Sequence, residues 1–252
     1  MRQAPALGQN GLDGIPSTAR RLEGSEPQEI LDWAVERYGD GLTLSVSFGG
    51  KEGMVLLDML SKITGKVWVF TLDTGFLFEE TIEFRKKVME KYPAMNFKVI
   101  EPEMSVEEQA RKHGPELWSC APDLCCQIRK IEPQKKWLAN YEAWATGIRR
   151  DQTHNRSDTP VVEWDAFFEV AKISPLAAWS KERVDEYVEE NDVPLNPLLS
   201  RGYRSIGCEP CTRPVSEDED ERDGRWFGTE KTECGLHVVN GKVGRAVSQV
   251  HE

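Results

Sequence analysis

An α/β domain built on a doubly wound, mostly parallel sheet is the fold class this sequence predicts, on three observations. From Leu42 onward, short apolar runs of strand length alternate with longer stretches of helical period. Glycines mark the junction where the first of those strands meets its helix, at Gly49-Gly50. The 252 residues, 39% of them apolar, are enough for one sizeable core.

Each element follows from its local pattern. Met1 to Gly24, with scattered Gly, Pro and Arg, reads as a mobile arm (residues 1–24). Ile30, Leu31, Trp33, Ala34 and Tyr38 share one face of a helix spanning 26–38, which Gly39 and Gly41 end. Leu42 to Phe48 is a strand, followed by a helix over 52–63, a buried strand over 67–72 ending in Asp73-Thr74-Gly75, and a helix over 79–92. A short strand over 97–100 and a helix over 106–113 come next, then a helix that carries Cys125 and Cys126 and runs toward Ala139. Ala143 to Gly147 and Phe168 to Ile173 read as strands, and Ser180 caps a helix to Glu190. Beyond Gly207 the chain is rich in Gly, Pro and charge, with five consecutive acids at Glu217 to Glu221, so 208–252 is expected to be loosely packed beside the 25–207 body.

Composition excludes several function classes. The net charge of -11 argues against a broad nucleic-acid surface, and an anionic ligand must meet a local cationic pocket. No apolar stretch has the length of a signal or membrane span, so a cytoplasmic protein is expected, and a homo-oligomer is compatible with the sequence. In a reducing compartment the six cysteines point to metal ligation or thiol chemistry, not disulfides.

Three constellations carry chemistry. Ser47-Phe48-Gly49-Gly50-Lys51 stands at a strand-to-helix turn, where glycines let backbone approach a ligand and the next helix offers free N–H groups to an anion; an ordinary tight turn would account for the same residues. Cys125, Cys126, Cys208 and Cys211 form two thiol pairs that suit an iron-sulfur cluster or zinc. Adjacent cysteines diverge more than a compact tetrahedral site tolerates, whereas a cubane has corners further apart. Cys234 follows Arg222, Arg225 and Lys231 and precedes His237, and cationic neighbours favour the attacking thiolate. Lys130, Arg149, Arg150, Arg222 and Arg225 form a basic set in an acidic chain.

With these residues assembled, the chain resembles the assimilatory sulfonucleotide reductases, in the adenylyl-sulfate (APS) reductase branch that carries a 4Fe-4S cluster. The resemblance runs from about Gly41 to His237 and rests on Cys125-Cys126-Gln127-Ile128-Arg129-Lys130, Thr146 to Gln152, Gly202 to Thr212, Gly224-Arg225-Trp226 and Glu233-Cys234-Gly235-Leu236-His237. It implies an adenine-nucleotide α-hydrolase-like fold with a mobile C-terminal catalytic segment. The implied reaction takes adenosine 5'-phosphosulfate to sulfite and AMP, with thioredoxin as electron donor. By motif, Cys125, Cys126, Cys208 and Cys211 bind the cluster, Cys234 is the nucleophile, and Lys130, Arg222, Arg225 and His237 face the sulfate. Ser47, Phe48, Gly49, Gly50, Lys51, Leu72, Asp73, Thr74, Gly147, Arg149 and Arg150 match nucleotide-binding segments. On that reading 25–207 is the nucleotide-binding reductase domain, and 208–252 supplies two cluster ligands and the catalytic cysteine.

Lys51 leaves open a relative that reduces the 3'-phosphorylated nucleotide (PAPS) or both. The 47–53 loop is also similar to the Ser-Gly-Gly-x-Asp-Ser loop of ATP pyrophosphatases, as in an ATP-dependent tRNA thiolase, but it lacks the Asp and the final Ser. A zinc-organised binding module is the alternative of another class.

Overall fold

The computed structural model describes residues 14–229, 231, 233, 235 and 236. The helices are α1 (Ile15–Leu22), α2 (Pro27–Tyr38), α3 (Lys51–Ile63), α4 (Glu79–Lys91), α5 (Val106–His113), α6 (Leu117–Cys120), α7 (Pro122–Cys126), α8 (Glu132–Leu138) and α9 (Lys181–Glu190). The strands are β1 (Leu42–Ser45), β2 (Trp68–Leu72), β3 (Asn96–Ile100), β4 (Ala143–Ala145), β5 (Val162–Asp165) and β6 (Val170–Ile173). They form one six-stranded sheet in the order β3-β2-β1-β4-β6-β5, parallel except for β5. The order reverses between β1 and β4, which opens a crevice beyond their carboxyl ends.

The alternation within β1 explains the two-layer cover. Leu42 and Leu44 point into the main core with Ile30 and Leu31 of α2 and Leu56 and Leu60 of α3. Thr43 and Ser45 point to the other face, where they accept hydrogen bonds from the indoles of Trp137 (3.2 Å) and Trp144 (2.8 Å). That second face buries Phe70, Trp144, Phe168 and Val170 against Leu138 of α8. Helices on both faces are what a sheet of parallel, doubly buried strands requires.

Local signals set most boundaries. Glu26 and Glu29 make a capping box at the start of α2, and Gly39, at φ +50°, ends it. Ser105 and Glu108 cap α5 in the same reciprocal way. β1 stops at Ser45 instead of running to Phe48, because Phe48 turns into the left-handed region at φ +57°. The four-residue β5, too short for a clear alternation, was not expected; it closes the sheet as an antiparallel hairpin with β6.

Two expectations about the ends are corrected. Residues 15–22, assigned to a mobile arm, form α1, whose Ile15 and Leu22 are buried in the main core; residues 1–13 lie outside the described residues. Residues 208–229, expected to be loosely packed, are fixed by a bridge between Thr212 and Arg225, by a hydrogen bond from the Trp226 N–H to the Cys211 carbonyl (3.0 Å), and by burial of Trp226. Within the acid run, Glu219 accepts from Arg213 and from the Ser216 N–H (2.8 Å), and these bonds hold its carboxyl down to about 2. No helix among the described residues is long and apolar enough to cross a membrane.

Asp58 of α3 is buried and accepts from the phenols of Tyr92 (3.1 Å) and Tyr187 (2.8 Å), clasping α3 to the end of α4 and to α9. Burial, reinforced by the Asp58 charge and hydrogen bond, raises both phenols above their ordinary value of 10.0. The folded chain therefore keeps protons that the unfolded chain releases near pH 10, so stability is intact below that pH and falls as pH rises above it. Urea midpoints measured from pH 8 to 11 should decline, and Tyr187→Phe should flatten the decline while costing about 0.5–1.5 kcal/mol at pH 7. Parallel curves for the two proteins would remove the phenols as the cause.

Candidate functional site

A cleft of about 250 Å³ opens at the crevice between β1 and β4. Its floor is the carboxyl ends of the strands: Ser45, Leu72, Thr74, Thr146 and Gly147. Ser47, Gly49, Gly50 and Glu52 form one wall, and Lys130, Gln134, Arg156, Arg204, Arg222 and Arg225 are among the polar residues that line the remainder. Two glycines are required by close approach. A Cβ on Gly49 would stand 2.7 Å from the Ile206 carbonyl, and one on Gly147 would stand 2.8 Å from the Cβ of Glu52. Phe48 itself is buried beneath the loop, edge-on to Phe84 at 6.4 Å, with its carbonyl held by Asn196 (2.9 Å). It anchors the turn and does not line the cleft.

Four residues expected to bind the nucleotide are engaged elsewhere. The Lys51 ammonium is paired with Asp185 of α9 at 2.6 Å. Asp73 accepts from the Gly75 N–H (3.1 Å) and from Arg85 (3.0 Å), so it shapes the turn after β2. Arg149 is buried against Glu52 (3.0 Å) and Asp151, while Arg150 forks onto Glu23 at 2.7 and 2.9 Å and donates to the Thr159 carbonyl at 2.9 Å. A guanidinium with several built-in acceptors is satisfied without a ligand. None of the four is part of the cleft lining.

The cleft recruits cations with no role expected from sequence, Arg204 among them although it lies within the 202–212 motif. Arg156 and Arg204 join Lys130, Arg222 and Arg225, so cations outnumber the lining carboxylates Glu52 and Glu221 in a protein whose net charge is -11. Arg156 follows the Gly147 turn at the end of two short 3-10 turns, Arg150–Gln152 and His154–Arg156, and only its place in a run of cations after β4 could have marked it. Arg225 stacks on Trp226 (4.5 Å) and lies so close to Gly207 that a Cβ there would be 2.2 Å from its guanidinium. Gln134 is buried with its amide nitrogen lacking a hydrogen-bond partner, a donor facing the cleft. Cys234 and His237 lie outside the described residues. Of the residues beside Cys234, Glu233 bonds to Arg156 and Arg222, Gly235 sits against Ile131, and Leu236 lines the cleft.

Next to the cleft, Cys125, Cys126, Cys208 and Cys211 all line a second cavity of about 10 Å³, walled by Phe76, Trp118 and Trp226. The helix over 122–138 makes this possible by widening to a π turn over Gln127–Ile131, a change of period of the kind that recurs at functional sites. Lys130, in that turn, lines both cavities. Arg129 is buried beside the thiols and donates to Gln109 (2.7 Å) and to the carbonyls of Met104 (3.0 Å) and Ser105 (2.6 Å). Gln109 in turn points its amide at Cys125 Sγ (3.8 Å), and nothing in the sequence singled it out. Thr74 Oγ1 is 3.3 Å from Cys208 Sγ.

Burial, then the charges of Cys126 and Cys208, pushes the Cys125 thiol up to about 11; burial, then Cys208, pushes Cys211 up to about 12, against the pull of Lys130. Cys125 and Cys211, held protonated by burial and by neighbouring sulfur, ionise readily only when a metal cation joins them, so this donor set fits a thiophilic metal group. Among the described residues no group of three or more Cys, His, Asp and Glu is arranged to hold a single metal ion. Cys120, the remaining cysteine of the described set, is exposed.

The chain matches the model of the phosphoadenosine phosphosulfate reductase domain over residues 41–214. It is 48% identical over 223 residues to the adenosine 5'-phosphosulfate reductase of Halalkalibacterium halodurans, covering 88% of this chain and 96% of that protein. It is 43% identical over 242 residues to the phosphoadenosine 5'-phosphosulfate reductase of Gloeobacter violaceus, covering 94% and 99%. The crystal structure of the phosphoadenylyl-sulfate (PAPS) reductase of Candida auris superposes with a TM-score of 0.70 at 33% identity, over 84% of this chain and 99% of that one. With its strand order, its cleft at the switch point and the paired cysteines beside it, the chain belongs to the phosphoadenosine phosphosulfate reductase family.

Proposed function

We propose that this protein is an assimilatory adenosine 5'-phosphosulfate reductase that forms sulfite and AMP through an S-sulfocysteine on Cys234. The observation that carries the reading is the cationic cleft at the β1/β4 crevice, which Arg222 and Arg225 line and which Glu233 and Leu236, on either side of Cys234, meet. In the first step the Cys234 thiolate attacks the sulfate sulfur. The new S–S bond forms as the S–O bond to the phosphate breaks, and AMP leaves with that electron pair. Attack of an anion on an anion needs fixed positive charge on the sulfonyl and phosphate oxygens, and Lys130, Arg222, Arg225 and His237 supply it. A thioredoxin thiolate then attacks Cys234 sulfur, sulfite leaves with the electron pair, and the second thioredoxin thiol resolves the mixed disulfide, so that thioredoxin ends oxidised by two electrons. A reducing cytoplasm keeps Cys234 available for each turnover.

The substrate preference follows from the loop. Lys51, the cation of that loop, is turned to Asp185, while the carboxylate of Glu52 faces the cleft and is held in place by Arg149 and Gln152. A further dianionic group placed at this loop would face the Glu52 carboxylate with Lys51 turned away, which favours APS over PAPS.

Cys125, Cys126, Cys208 and Cys211 would hold a 4Fe-4S cluster, which supplies electrostatic and structural support. The two-electron chemistry above is complete without a relay. Lys130, shared by the two cavities, would carry that influence to the sulfate.

Anaerobic incubation with each sulfonucleotide and reduced thioredoxin tests class and substrate together. Sulfite should form with APS and at least tenfold less efficiently with PAPS, since about 1.4 kcal/mol of repulsion suffices for that ratio. Equal rates would replace this reading with a dual-specificity enzyme. Pyrophosphate release from ATP without sulfite would replace it with a thiolase.

A further inference from the structure

We propose that Glu233 is a positioning residue, whose carboxylate clasps Arg156 and Arg222 to fix the chain that carries Cys234 over the cleft; the proposal rests on Cys234 being the nucleophile. Glu233 Oε1 accepts from Arg156 Nε at 3.1 Å, and Oε2 accepts from a terminal nitrogen of Arg156 at 2.8 Å and of Arg222 at 3.1 Å. The three side chains are largely buried, at 11% exposure for Glu233, 7% for Arg156 and 21% for Arg222. A bidentate guanidinium-carboxylate pair fixes direction as well as distance, which a single hydrogen bond or an apolar contact does not.

The clasp is rooted in the body of the domain. Another terminal nitrogen of Arg156 donates to Gln152 Oε1 at 2.5 Å, Gln152 Nε2 donates to Glu52 Oε1 at 2.9 Å, and the same oxygen accepts from Arg149 at 3.0 Å. The path therefore runs from the first turn of α3 and the turn after β4 to the residue just before Cys234. On the other side Gly235, at φ +75°, packs so closely that a Cβ would be 2.9 Å from Ile131 of the π turn. The chain is thus held on both flanks of Cys234, ionically before it and by close packing after it.

Charge explains why the first hold is ionic. Arg156 and Arg222 both line the cleft, and one carboxylate between them cancels one of their two charges. The shared carboxylate gives both guanidiniums a fixed orientation at the cleft. Arg149, which anchors the same network through Glu52, acts here at one remove, by holding the clasp.

The test separates positioning from binding. Glu233→Gln, Glu233→Asp, Arg156→Gln and the double variant Glu233→Gln/Arg156→Gln are compared in two measurements: the rate at which APS, without thioredoxin, sulfonates Cys234, followed by mass spectrometry, and the affinity for AMP. Glu233→Gln should slow adduct formation about ten- to a hundredfold, the scale expected when a reacting group is misplaced by about 1 Å, with AMP affinity changed less than about twofold. Glu233→Asp, which keeps the charge, should recover part of the rate. The double variant should be no slower than the slower single one, because each breaks the same clasp.

A wild-type adduct rate in Glu233→Gln would overturn the proposal, as would rate losses that multiply in the double variant or a loss of AMP affinity equal to the loss of rate. Absence of any adduct on Cys234 in the wild-type enzyme would instead overturn the catalytic reading beneath it.

Discussion

Cys234→Ser should abolish sulfite release while leaving visible absorbance and AMP binding at wild-type levels. The hydroxyl is almost wholly protonated at neutral pH and is a far poorer nucleophile than a thiolate beside cations, so the expected loss is at least about a thousandfold. In sequence Cys234 belongs to neither the Cys125-Cys126 pair nor the Cys208-x-x-Cys211 turn, so metal content should not change. In the wild-type protein, APS without thioredoxin should leave a sulfonate adduct on the peptide containing Cys234, and the variant should have none. An adduct on the exposed Cys120, or iron lost from Cys234→Ser, would refute the division of labour among the cysteines.

Cys126→Ser should lose iron and activity together. Cys126 is buried in the cavity that also holds Cys125, Cys208 and Cys211, and a serine there replaces a soft thiolate with a hard, neutral hydroxyl that does not ligate iron-sulfur clusters well. The readouts are iron and sulfide per chain and the broad absorbance near about 400 nm expected of a 4Fe-4S group. Because the same cavity joins α7 to the chain after Cys208, the variant should also unfold at a lower temperature. A brown, iron-replete Cys126→Ser protein would exclude the four-ligand assignment. Stoichiometric zinc in a colourless wild-type protein would exclude the cluster. A cluster signal that changes oxidation state during turnover, seen by electron paramagnetic resonance, would exclude the nonredox role.

The sequence by itself determined the parallel α/β class, because β1 to β4 and their helices carry their signals locally, in apolar period, caps and glycines. It also singled out, by spacing alone, the pair at Cys125 and Cys126 and the Cys208-x-x-Cys211 turn, and these four cysteines line one cavity. Lys130 was identified by motif, and the π turn places it where both cavities share it. What only the tertiary structure decided is where each cation spends its charge. Lys51, Arg149 and Arg150, expected at the nucleotide, pair with Asp185, Glu52 and Glu23, which are distant in sequence. Arg156 and Glu233 lie 77 positions apart and pair across the cleft. A run of acids such as 217–221 reads as a solvated tail until the fold buries Trp226 nearby. The physical reason is the same in each case: backbone preference and amphipathic period act over a few residues, whereas an ion pair or a buried ring depends on which strand order brings two segments together.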